Sequence, residues 1–136
     1  MVDTNVVFEG LTTRGGAAGL VIDAWVARMF RPCVSNSVAY EYWEVLESKL
    51  SRERWRRLRP VLGTLLRSCE FVPIYFSWRP LSPDPGDDHM IDCAMNAAAV
   101  LVTWNVRDFR LAERALGLPV RTPIEFLKDL NLDASR

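Results

Sequence analysis

The run Ala99-Val100-Leu101-Val102-Thr103 is apolar at every position before its final threonine, the pattern of a strand buried on both faces. Such a strand needs helices above and below it, and its flanks supply them. Residues 88–99, rich in small side chains, predict a helix before it; residues 106–116 predict another after it, stopped by Gly117. The alternation runs through the chain. Helices are expected over residues 17–29, over 38–50 with Ser37 as N-cap, and over 51–67 with Pro60 kinking or dividing the last. Short strands are expected at 33–35, 70–74 and 120–122, and Thr122-Pro123 opens a final helix. Pro80, Pro83, Pro85 and Gly86 make residues 78–88 a loop. The expectation is a single α/β domain over residues 1–136, with one open, mostly parallel central sheet flanked by helices. Its first strand is cut short, because only Met1 and Val2 precede Asp3.

Composition removes several kinds of chemistry. Lys plus Arg equals Asp plus Glu at 17 each, so binding driven by whole-molecule charge is excluded, although a local basic patch is not. Three separated cysteines (Cys33, Cys69, Cys93) among apolar neighbours read as reduced core thiols of a cytoplasmic protein. His89 is the sole histidine, too few for a usual zinc site, and Gly15-Gly16 lacks the rest of a phosphate loop. No apolar run is long enough to span a membrane, and no signal peptide is evident. Any catalysis falls to carboxylates.

Several acids stand where they need explaining. Asp3 ends the first apolar segment, at the sheet edge where ligands gather in open parallel sheets, or else caps the following turn. Glu41 borders the apolar stripe of Val38, Tyr42, Val45 and Leu46, with Glu44 a weaker candidate and Glu47 on the solvated face. Asp84, Asp87, Asp88 and Asp92 crowd the start of a helix more densely than capping explains. Asn105 and Asp108 follow the buried strand past Thr103 and emerge at the same edge as Asp3. Oxygen donors without thiol or imidazole select Mg²⁺ or Mn²⁺, and with them phosphodiester hydrolysis by an activated water.

These segments resemble the motifs of the PIN-domain ribonucleases. Asp3-Thr4-Asn5-Val6 resembles the family's opening motif, and residues 37–46, with Glu41-Tyr42 and Val45-Leu46, its second. Asp87-Asp88-His89-Met90-Ile91-Asp92-Cys93-Ala94 resembles the third, in a register that favours Asp87 over Asp88 as the ligand. Residues 101–109 are similar to the fourth, and residues 122–127 to the usual ending. The resemblance implies Asp3, Glu41 and Asp87 as ligands of Mg²⁺ or Mn²⁺. Asn105 replaces an acid that many members carry, so Asn105 or Asp108 assists, with Asp88 and Thr103 as secondary candidates. The resemblance also implies an endoribonuclease like the VapC-type toxins, a homodimer, an RNA substrate and a cognate antitoxin protein.

Other readings stay open. A PIN-like module that binds RNA or protein without cutting is favoured by Asn105 and the short first strand. A phosphohydrolase with Asp3 as covalent nucleophile wants an acid two residues on, where Asn5 stands. The basic stretch Arg52, Arg54, Arg56, Arg57 and Arg59 around Trp55 reads as a solvated helix face, an RNA contact or an interface. The remaining tryptophans suggest core or interface rather than a cofactor box.

Overall fold

In the computed structural model, which describes residues 1–78 and 87–131, helices alternate with short parallel strands. The first helix, α1 (Thr4–Thr12), was not foreseen; Val6 and Val7 are fully buried on its inner face. After a turn in which Gly15 and Gly16 both take positive φ, α2 (Gly16–Val26) packs against it. The contact is tight at Gly10, where an added Cβ would lie 2.5 Å from Ile22 Cγ1 and 2.7 Å from the Ala18 carbonyl oxygen. Gly10→Ala gains helix propensity but must force a backbone atom aside, so a net loss of about 1–3 kcal/mol is expected in urea unfolding.

β1 (Cys33–Val34) leads into α3 (Asn36–Lys49), and α4 (Arg52–Arg67) leads to β2 (Glu70–Phe71), which pairs with β1 in parallel. Ser35, not Ser37, caps α3: its extended backbone ends the strand and its Oγ accepts from Val38 N at 3.2 Å. α4 begins one residue later than expected, with Ser51 as its N-cap, and Pro60 sits inside that helix without dividing it. The strand expected over residues 70–74 stops early. Val72 N still bonds Val34 O at 2.8 Å, but Pro73 has no N–H to continue the ladder. The loop prolines, Gly86 and Asp84 lie outside the described residues.

α5 (Asp88–Ala97) precedes β3 (Leu101–Val102), and a 3₁₀ turn (Val106–Phe109) leads into α6 (Arg110–Leu116), closed by Gly117 at φ +70°. β4 (Val120–Arg121) pairs with β3 in parallel, and α7 (Pro123–Asp129) starts with a reciprocal cap between Thr122 and Glu125. Val2 forms a parallel bridge to Val102 on the side of β3 away from β4.

The expected single sheet is therefore corrected to two two-stranded pieces, β1–β2 and β3–β4, with the Met1–Val2 segment alongside the second. Among the described residues no bridge joins that segment to β1. Strands of two residues offer few ladder bonds, so helix packing holds the parts together. Trp25, Tyr42, Leu46, Leu62 and Leu127 are buried to within 1% exposure in one core cluster. Cys33 and Cys93 are buried free thiols in it. No described helix is long and apolar enough to cross a membrane.

Candidate functional site

Asp3 joins the amino-terminal segment to α1. Its N–H bonds Val102 O at 2.8 Å, so β3 fixes its backbone, and its extended φ and ψ place it at the N-cap of α1. The side chain makes no full capping bond there, although the first N–H groups of α1 lie close enough to favour its charged form. Instead Asp3 Oδ2 accepts from Thr103 Oγ1 at 2.7 Å, and the residue is 4% exposed. Burial pushes its carboxyl above the ordinary value of 3.8, while Thr103 and the N–H groups of Thr4 and Asn5 draw it part of the way back; the charge of Asp108 adds a smaller upward push.

Thr103 is fully buried and works in both directions, donating to Asp3 and accepting from Asn105 N at 3.0 Å. It thereby fixes where the chain turns out of β3. Asn105 is exposed, and its carbonyl accepts from Asp108 N at 3.0 Å. Asp108 is half-buried in the 3₁₀ turn and caps no helix with its side chain, since Asn105 and Phe109 hold the N-cap positions.

Glu41 is half-buried beside Val38, Tyr42 and Leu46, as its place on the stripe predicts. Its Oε2 accepts a hydrogen bond from Thr4 Oγ1, and the neighbouring Tyr42 hydroxyl donates to Val2 O. Residues on both sides of Asp3 are thus tied to α3. Sequence reasoning passed over Thr4, because its partner lies 37 positions away and nothing local signals the pair.

On α5, Asp87 occupies the N-cap position, half-buried and without a side-chain capping bond. Asp88, set second by motif register, is the more buried of the two at 1% exposure. Asp92 is also buried, and its Oδ1 accepts from Trp78 N at 3.1 Å. His89, the sole histidine, shares a cleft of about 540 Å³ with Tyr40, Glu41 and Glu44, so the start of α5 faces the acid of α3.

The structure therefore brings Asp3 together with Thr103, within electrostatic reach of Asp108, and ties Glu41 to the residue after Asp3. It does not assemble a closed cage: among the described residues, no group of three His, Cys, Asp or Glu side chains stands ready to hold a metal. The donor chemistry still fits a hard divalent cation. The acids offer only oxygen, one of them desolvated, and Mg²⁺ commonly keeps its waters and is bound by one or two carboxylates plus substrate phosphate.

Comparison with protein families finds the PIN domain over residues 1–107, well over half the chain and inclusive of Asp3, Glu41, Asp87, Asp88, Thr103 and Asn105. No curated protein matches the chain significantly.

Proposed function

The chain belongs to the PIN-domain family, whose members are usually nucleases, and from that premise we propose that it is a Mg²⁺- or Mn²⁺-dependent endoribonuclease. The observation that carries the reading is the buried, desolvated carboxylate of Asp3 just past the Val2–Val102 parallel bridge, held by Thr103 and within electrostatic reach of Asp108. An ionised carboxylate so placed costs free energy unless a cation compensates it. Asp3, Glu41 and Asp87 would hold the metal, with Asp88 as the alternative on α5 and Asn105 or Asp108 assisting. A bound divalent ion lowers the pKa of a water and neutralises charge on the phosphate being attacked. The chain's own residues set the geometry. Thr103 orients the Asp3 carboxylate, Thr4 orients Glu41, and the Asn105 turn fixes Asp108.

RNA is the proposed substrate, and a homodimer paired with an antitoxin the proposed assembly; both rest on the motif resemblance. A second reading, a PIN-like module that binds without cutting, is favoured by Asn105 and by the open arrangement of the acids among the described residues. Cleavage of labelled single-stranded RNA with Mn²⁺ or Mg²⁺ separates the two. Cutting that stops with chelator and in Asp87→Asn is expected. Loss in Asp88→Asn with Asp87→Asn unaffected would move the ligand by one residue. Binding without cutting at any metal concentration would leave the module.

A further inference from the structure

We propose that the pocket at the carboxyl end of α1, walled by Arg14, Arg54 and Arg57, holds the phosphodiester backbone of the RNA strand several nucleotides from the bond that is cut. The proposal rests on the RNA-cleaving reading above. Positions 4, 8 and 12 of α1 share one helix face. Each is met in turn by the chain running beside it. Glu41 accepts from Thr4, the Lys49 ammonium lies 5.3 Å from the centroid of the Phe8 ring, and Arg54 Nη2 donates to Thr12 O at 3.4 Å. The side chains accompanying α1 change from acid to base over eight residues, about 12 Å at the helical rise. A stacked strand covers that length in three to four nucleotides at about 3.4 Å each.

Beyond Thr12 the path opens into a pocket of about 510 Å³. Arg14 enters it from the α1–α2 turn, and Arg54 and Arg57 from the first turns of α4. All three are exposed, and none is ion-paired with a described residue. Asp23 also faces the pocket, which leaves it net positive in a chain whose formal charge is zero. Guanidinium forks suit phosphate oxygens, and a phosphodiester strand seated at the acids continues naturally onto them. This separates the arginines that face the pocket from Arg52, Arg56 and Arg59, which do not line it.

The test measures binding of a labelled single-stranded RNA of about twelve nucleotides, in chelator so that nothing is cut, against salt. Each phosphate contact on a single strand contributes about 0.7 to the slope of log affinity against log salt. Three arginines therefore predict a slope steeper by about 2 for the wild type than for Arg14→Ala/Arg54→Ala/Arg57→Ala. That variant should also bind the twelve-mer about a hundredfold more weakly at 0.1 M salt. The corresponding triple lysine variant should keep the wild-type slope, because the charge remains. Equal slopes in the alanine variant and a wild type that cuts RNA would overturn the pocket and leave the nuclease standing. So would a lysine variant that loses the slope. Capture of a polyglutamate peptide but not the twelve-mer would assign the arginines to an acidic protein and overturn the proposal. A wild type that neither binds nor cuts RNA would overturn both readings.

Discussion

Asp3→Asn is expected to reduce cleavage more than about a hundredfold while raising the melting temperature of the metal-free protein. The loss follows from removing a proposed metal ligand, since even outer partners of metal ligands are worth about 10–100-fold. The gain follows from burial. Asparagine is nearly the same shape, its Oδ1 can still accept from Thr103, and the desolvated charge is gone. The sign of the pH dependence comes from the raised carboxyl. Below the ordinary value of 3.8 Asp3 is neutral folded and unfolded, so the variant has no advantage from this group. As pH rises through the elevated folded value, the wild type must ionise a buried group, and the advantage grows to a plateau at neutral pH. Thermal melts of both proteins from acid to neutral pH in chelator read this directly. Mn²⁺ at a hundred times its dissociation constant should then stabilise the wild type by about 2.7 kcal/mol and the variant far less. A variant that melts lower than wild type at neutral pH would contradict the burial argument, whatever its activity.

The same residue shows how far local pattern carries. The continuous apolar run marked β3 as buried, and the stripe on α3 put Glu41 at the margin of the core, because both depend on periodicity within one element. The cap at Thr122 and the stop at Gly117 were legible for the same reason. α1 was not. Its apolar residues Val6, Val7 and Leu11 do follow a helical spacing, but two are β-branched and the segment ends in Thr-Thr-Arg-Gly. Its identity is settled by packing on α2 at Gly10, a contact between distant positions. The site divides likewise. Which acids sit near strand ends could be read off the chain. The Thr4–Glu41 bond, the double role of Thr103 and the burial of Asp88 beside the less buried Asp87 depend on how separate elements meet.

Trp25→Ala is expected to cost about 3–5 kcal/mol, a large share of the 5–15 kcal/mol that stabilises a typical domain. Trp25 is 1% exposed and ties three elements together. Its Nε1 donates to Leu65 O at 3.2 Å and to Ser68 Oγ at 2.9 Å at the end of α4. Its ring meets Phe30 edge-on at 6.2 Å, and Phe30 meets Phe126 of α7 the same way at 5.0 Å. Trp25→Phe keeps a six-membered aromatic ring but loses the donor and two buried ring carbons, the carbons being worth about 1–2 kcal/mol. Ser68 Oγ already donates to Leu65 O at 2.8 Å, so that carbonyl stays satisfied and a smaller cost, about 1 kcal/mol, is expected for the bond. Val34→Ala in β1 removes two methyl-sized groups from a fully buried site, about 2 kcal/mol. A Trp25→Ala loss larger than that of either Val34→Ala or Trp25→Phe in urea unfolding follows if helix packing rather than strand pairing carries the fold. With strands of two residues and a sheet in two pieces, little else is available to do so. A Val34→Ala loss larger than that of Trp25→Ala would mean that the β1–β2 pair, short as it is, holds the domain together.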